Sequence, residues 1–459
     1  MSHTAIVNAT LIDGQGGNPV PNATILIEGN TFAAVGTAES VLVPDDAVVV
    51  DADGRTVIPG ILNGNVHLID GWLLCFPGGV EYLARWEGRL VDVIVEAAQV
   101  TLKNGVTTVF DTYNAVGPVL AARDKIAAGD AAGSRVFAAG NIVGMGGPFS
   151  VDFRAAARPH ISRTFADRMD ALFSAGVGSE LMGLTANDVR PIIRDYLQRG
   201  VDMLKIAVSD HATGVVGFDR AYLSFSERVL ETMVEEALDA GVPLLSHTTH
   251  LESLRIAVDL GFDVLIHGSM VGMHSIPQKQ IDRIREKGLT VGIQTTTEAY
   301  IQKLIAAGNP FGYMLGGVNA ENERRIIAAG IPVMLGTDAG CTSHDVLSDT
   351  NEVGEPDRPW TLGLDHVAWA RGIVEKGMTP MRAIQSSTRD VARAYRKGDI
   401  LGTIEAGKLA DLVILDADPL TDIANLAAVS VVFKDGVRID RESLPTEPLV
   451  TAITPRDPS

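Results

Sequence analysis

Two hydrophobic patterns alternate along the chain and predict two kinds of region. Near both ends, short β-branched runs are cut by Gly, Asn and Asp. AIVNATLID, ATILIEGNTFAAVG and AVVVDADGRTVIPG open the chain, and KLADLVILDADP (408–419) and VSVVFKDGVRID (429–440) lie near its close. The Asp-Gly of the last run signals a hairpin turn. These ends predict one small composite β-sandwich domain made of residues 1–57 and 398–459.

The middle, 58–397, alternates differently. Short apolar runs predict strands at 61–68, 106–111, 135–141, 202–208, 243–247, 264–268, 289–294 and 333–338. Between them lie amphipathic stretches such as SERVLETMVEEALDAG (226–241) and NAENERRIIAAG (319–330), the latter ending on a helix-stop Gly. Strand–helix alternation of this kind predicts an α/β fold, specifically a distorted (β/α)8 TIM barrel. An open doubly wound sheet is the alternative. It loses support because no GxGxxG follows the first strand.

Composition agrees and narrows the function. The 459 residues are 46% hydrophobic but only 5% aromatic, which favours layered α/β packing. The formal net charge is −19 and no basic block interrupts it, so nucleic acid and anionic membrane surfaces are poor partners. Two cysteines, Cys75 and Cys341, exclude a disulfide framework and a Cys-rich zinc site. No 18-residue apolar run occurs, and the first residues lack the basic and apolar regions of a secretory signal. The expectation is a cytoplasmic protein acting on a small molecule.

In a barrel, chemistry gathers at the C-terminal ends of the strands. Asn65 and His67 end the first predicted strand with i, i+2 spacing, so they share a face. Lys205 lies in the fourth strand, His247 ends the fifth, His267 sits near the end of the sixth and Asp338 ends the eighth. A single strand histidine is ordinarily a core residue, but this convergence points to a borderline divalent metal such as Zn²⁺ or Co²⁺. The other histidines rank lower; His211, just after the fourth strand, has the reach to touch substrate.

These motifs resemble the metal-dependent amidohydrolase superfamily, in its imidazolonepropionase- and prolidase-like branch. The resemblance rests on DADGRTVIPGILNGNVHLID, PLLSHTTH, GFDVLIHG, LGTDAG and KGDILGTIEAGKLADLVILDADPL, in family order across nearly the whole chain. It implies a distorted barrel with a metal centre, the composite β domain and a homo-oligomer. It also implies that Asn65 and His67 occupy one metal position and His247 and His267 another. Lys205 then carries a carbamate from CO₂ or ligates directly, and Asp338 orients water and accepts its proton. The other reading of Lys205 is a buried lysine salt-bridged to Asp338.

One departure is informative. The strand-one motif of the family is usually His-x-His, and here it is Asn65-Val66-His67. An amide oxygen is a weaker transition-metal ligand than imidazole, so one divalent ion per chain is expected: Zn or Co, with Fe or Mn accepting the same donors. The Asn-x-His variant resembles a subgroup that includes phenylurea hydrolase and molinate hydrolase. That implies hydrolysis of a urea, anilide or (thio)carbamate C–N bond. Apolar loops at the predicted rim nominate Trp72, Phe76, Met145 and Phe149 for substrate binding, and Cys341 as a pocket wall. Packing at a subunit interface is the alternative for these residues. A dipeptidase, prolidase-like or N-acyl-amino-acid hydrolase would need a cation for the substrate carboxylate, for which Arg154, Arg158 and Arg163 are candidates. A non-catalytic relative that lost one ligand histidine is the third reading.

Overall fold

The computed structural model describes residues 3–209, 222–342 and 358–452. Strands appear at all eight central positions: β6 (Ile61–Val66), β7 (Val106–Asp111), β8 (Arg135–Ala138), β9 (Leu204–Ala207), β10 (Leu244–His247), β11 (Val264–Ile266), β12 (Thr290–Ile293) and β13 (Val333–Leu335). They form two parallel sheets in sequence order, β6-β7-β8 and β9 through β13. All their residues are buried except Arg135 and Phe137, as expected for parallel strands covered on both faces. Backbone bonds also run between the sheets. Val143 N–H donates to Lys205 O at 2.8 Å and Ala207 N–H to Val143 O at 2.9 Å; on the other side, Asp338 N–H donates to Asn65 O at 2.8 Å and His67 N–H to Ala339 O at 2.9 Å.

Several strands stop earlier than their apolar runs suggest, for a backbone reason. Gly140 (φ 73°) ends the third run, and non-glycine residues in the left-handed region follow the sixth and eighth, His267 (φ 57°) and Asp338 (φ 61°). Helices start on side-chain caps: Ser226 Oγ accepts from Val229 N–H and opens Glu227–Asp239. The stretch expected at 319–330 is the helix Gly317–Ala328. No described helix is long and apolar enough to cross a membrane.

Strands from both ends of the chain meet in one eight-stranded sheet. They are β1 (His3–Leu11), β2 (Val20–Glu28), β3 (Thr31–Thr37), β4 (Val48–Asp51), β5 (Thr56–Pro59), β14 (Leu412–Leu415), β15 (Val429–Lys434) and β16 (Val437–Arg438). Their order is β16-β15-β14-β5-β1-β2-β3, with β4 on β1; β5 joins the two ends by pairing antiparallel with β14. The period of two divides the work of β14. Leu412 and Ile414 pack with Ile6, Ile25 and Phe433 in the sheet's own core, whereas Val413 and Leu415 join the main core.

Candidate active site

The site is assembled from the C-terminal ends of the parallel strands. His67 follows β6, Lys205 lies in β9, His247 closes β10, and His267 and Asp338 follow β11 and β13; all are buried. The left-handed backbones of His267 and Asp338 turn these two residues out of their strands. Non-glycine residues rarely adopt that conformation unless the surroundings over-determine it. Close packing holds the loop after β6, since a Cβ at Gly71 would lie 2.8 Å from His67 Cδ2.

A hydrogen-bond chain crosses the site. Lys205 Nζ donates to Thr112 Oγ1 at 3.0 Å, the Thr112 hydroxyl donates to Asn65 Oδ1, and Asn65 Nδ2 donates to Asp338 Oδ1 at 2.8 Å. Both amide atoms of Asn65 are therefore engaged. Lys205 reaches Asp338 through this relay and forms no direct ion pair with it among the described residues. His67 Nε2 lies 3.0 Å from Asp338 Oδ1, and His267 Nε2 lies 3.9 Å from Oδ2. His247 and His267 meet edge to face at 5.0 Å.

Burial and charge oppose each other here. Burial alone would raise the Asp338 carboxyl. The charges of His67, His267 and Lys205, with the His67 hydrogen bond, outweigh it and hold Asp338 well below the usual carboxylate range. Burial pushes the Lys205 amine down to about 8 against the attraction of Asp338 and Asp111. Asp111 is raised to about 6, again by burial; its Oδ2 accepts from Leu68 N–H at 2.9 Å and so pins the chain just after His67.

Two small adjoining cavities open on these groups. One, of about 40 Å³, is lined by His67, Lys205, His247, His267 and Asp338 with Trp72, Cys75, Tyr113, Ile142, Met145 and Phe153. The other, of about 30 Å³, shares Trp72, His247, His267 and Asp338 and adds Met270, Gln294, Met314 and Asn319. Of the nominated substrate residues, Trp72 and Met145 line them. Phe149 instead packs on Phe165, and Phe76 packs on Phe311 behind Trp72. Cys341 lines a different cavity of about 610 Å³ with Tyr300, Arg358 and Asp365. His211 lies outside the described residues. Arg158 is paired with Asp167 and Asp170, Arg163 with Asp167, and Arg154 reaches the Cys75 carbonyl.

Sequence reasoning passed over Thr112, Tyr113, Gln294 and Asn319. Thr112 and Tyr113 follow β7, and Gln294 follows β12, so the strand-end rule that found the histidines applies to them too. Asn319 carries no such signal, being the third residue of a helix. The cavity also contains Cys75, whose thiol burial pushes up to about 12, leaving it protonated.

The donor set fits a divalent metal. Three imidazoles and an ionised carboxylate face one cavity, and the buried His67 Nδ1 has no hydrogen-bond partner among the described residues. Among the described residues, no three or more His, Cys, Asp or Glu side chains form, as arranged, a group that could hold a metal ion; the fit is one of donor type, and the His67–Asp338–His267 cluster is held by its own polar contacts.

Comparison with known proteins agrees with this geometry. Over 100% of this chain and 98% of the other, the structure superposes on that of molinate hydrolase with a TM-score of 0.95 and 50% identity. Phenylurea hydrolase B matches with a TM-score of 0.95 and 53% identity, over 98% of this chain and 100% of the other. The imidazolonepropionase of Geobacillus kaustophilus (strain HTA426) is 22% identical over 439 residues, 86% of this chain and 84% of its own. That of Geobacillus sp. (strain WCH70) is 33% identical over 125 residues, which span 27% of this chain and 25% of the relative. The model of the amidohydrolase family matches residues 56–439. The chain therefore belongs to the amidohydrolase family.

Proposed function

We propose that this enzyme hydrolyses the C–N bond of a urea, anilide or (thio)carbamate in a small, mostly apolar substrate, with phenylureas first among them. The observation that carries the reading is identity of 50% and 53% to molinate hydrolase and phenylurea hydrolase B over essentially whole chains. The reaction is R–NH–C(=O)–X + H₂O → R–NH₂ + HO–C(=O)–X. The two parallel sheets act as one distorted (β/α)8 barrel, residues 58–397. Residues 1–57 and 398–459 form the composite β domain.

His67, His247, His267 and Asp338 would hold one divalent ion, Zn or Co before Fe or Mn, with Lys205 and Asn65 beside it. When bound, such an ion supplies Lewis acidity toward the carbonyl and toward water. The chain's own groups do the rest. Asp338 Oδ1 is fixed by Asn65 and His67, which leaves Oδ2 to take the proton of the attacking water and return it to the leaving nitrogen. The Tyr113 hydroxyl is buried with no partner among the described residues and burial raises its pKa, so it stays a neutral donor on a residue lining the cavity. Lys205, lowered to about 8, holds a neutral fraction near pH 7 that is open to carbamate formation. Trp72, Met145, Tyr113 and Phe153 supply apolar walls. The family resemblance supports a homo-oligomer.

The test is a hydrolysis screen of the metal-loaded enzyme against phenylureas, anilides, thiocarbamates and X-Pro dipeptides, with amine release read by mass spectrometry. Release of an aniline from a phenylurea is the expected result. An enzyme that retains metal yet leaves the first three classes intact overturns the reading.

A further inference from the structure

Beside the metal-type residues, the smaller cavity has a polarity the reaction above does not use. Its walls are apolar at Met270 and Met314, yet three residues that line it carry buried polar atoms with no hydrogen-bond partner among the described residues. They are Trp72 Nε1, Gln294 Nε2 and Asn319 Oδ1, on residues 8%, 3% and 2% exposed. Buried polar groups in native proteins are almost always satisfied, and exceptions mark places where something else supplies the bond. Here the atoms come from three distant parts of the chain, which argues against one local packing defect.

Two of the three are held in place. The Trp72 indole packs 4.4 Å from Trp360 and 4.4 Å from Phe311, so its N–H has a fixed direction. Asn319 Nδ2 donates to Met314 O at 2.7 Å, which settles the amide orientation: reversing it would set oxygen against oxygen. The helix that carries Asn319 is anchored one turn later. Asn322 Nδ2 donates to Ser269 O at 3.1 Å and His274 O at 2.8 Å, and Glu323 accepts from Thr295 Oγ1 at 3.0 Å. Asn319 is thus an acceptor on a rigid element, and Trp72 a donor in a rigid stack.

At about 30 Å³ the cavity admits a group of a few atoms, too small for a ring and suited to an amide. A donor and an acceptor beside His247, His267 and Asp338 match the carbonyl and the N–H of such a group. We propose that this cavity is an amide-recognition subsite in which Trp72 and Gln294 donate to the substrate carbonyl and Asn319 Oδ1 accepts its N–H. The enzyme therefore selects ureas, anilides and carbamates that carry an N–H, over fully N-substituted analogues such as N,N-dialkyl thiocarbamates. An N-alkylated substrate leaves Asn319 Oδ1 buried without a donor, and sites built this way reject the analogue strongly. The inference rests on the C–N hydrolase reading for its substrate class, but not for its readout.

The experiment is a two-by-two comparison on the metal-loaded enzyme. Dissociation constants of acetanilide and N-methylacetanilide are measured by calorimetry for the wild type and Asn319→Leu. Hydrolysis is measured in parallel with a phenylurea and its N-methyl analogue. The wild type is expected to favour the N–H ligand by about 10-fold or more, and Asn319→Leu to bring that ratio to within about threefold by weakening only the N–H ligand. Comparing ratios cancels the intrinsic effect of N-methylation. Asn319→Ser keeps an acceptor and should keep part of the preference, which guards against a misfolded leucine variant. Equal ratios in wild type and variants, or no binding of either anilide, overturn the subsite. Intact selectivity in binding with no urea cleaved would instead sink the hydrolase reading and leave the subsite standing.

Discussion

The rim of strand ends, which is buried, and the junction with the terminal sheet, which is partly buried, are both polar, but they use polarity in opposite ways. At the junction, Arg135 of β8 donates to Asp411 at 2.5 Å, to Asp435, and to Thr108 at 2.9 Å, and Asp411 also accepts from Asp435 N–H at 2.8 Å. Burial would lower the Arg135 pKa, yet these carboxylates keep it raised. At the rim, Trp72 Nε1, Tyr113 Oη, Gln294 Nε2 and Asn319 Oδ1 have no partner among the described residues, and His267 and Asp338 hold left-handed backbones. The junction satisfies its polar groups internally and so holds two parts of the fold together. The rim leaves bonding capacity unused within the described chain and carries local strain, as the proposed substrate site requires.

If that division is right, changes at the two places have different signatures. His247→Ala or His267→Ala should remove bound metal and with it all measurable turnover, checked by elemental analysis beside an activity assay; full metal content in either variant would break the rim assignment. Asp338→Asn should lower kcat by about 10³-fold, because the proton acceptor becomes an amide. Its melting temperature should fall, since a carboxyl held below the ordinary range stabilises the fold through a charge the amide lacks.

Arg135→Met should do the reverse. It leaves Asp411, only 4% exposed, buried without its cation, and should cost about 3–5 kcal/mol in denaturant unfolding. KM of the remaining folded enzyme should not change. A large KM change would mean that the junction and the rim are coupled.

Glu323 tests a charge that lies between these extremes. It pairs with Lys376 at 3.5 Å, and burial raises it to about 6 from an ordinary 4.5. Because the folded-state pKa is the higher one, its stabilising contribution is full below pH 4.5 and is lost as pH rises through 6. The stability of the wild type relative to Glu323→Gln should fall by about 2 kcal/mol from pH 4.5 to pH 7. A flat difference would show that Lys376 fully offsets the burial. The smallest effect is expected at Cys341, which lines the larger cavity: Cys341→Ser should change kcat/KM by less than about twofold.

The strand positions were legible because apolar runs of five to eight residues, separated by capped amphipathic stretches, have few other uses. The rim histidines followed, since a residue at a strand end needs only the strand to be placed. Loop side chains did not follow. Phe76 and Phe149 have the apolar character of pocket walls, yet they pack on Phe311 and Phe165, partners supplied by other segments. Tyr113 and Gln294 obeyed the strand-end rule but were not histidine or acid. Asn319 reaches the cavity only because its helix is tied to the loops after β11 and β12.

By itself the sequence determined the alternation of strands and helices and the order of the metal-type residues, because these depend on local periodicity and residue chemistry; that Asn65 stands where relatives usually carry a histidine came from the family resemblance. Tertiary structure alone decided that Asn65 links Thr112 to Asp338, and that Trp72, Gln294 and Asn319 line one small cavity. The physical reason is distance along the chain. Those contacts join segments tens to hundreds of residues apart, and their directions are set by backbone turns and aromatic packing that no local pattern encodes.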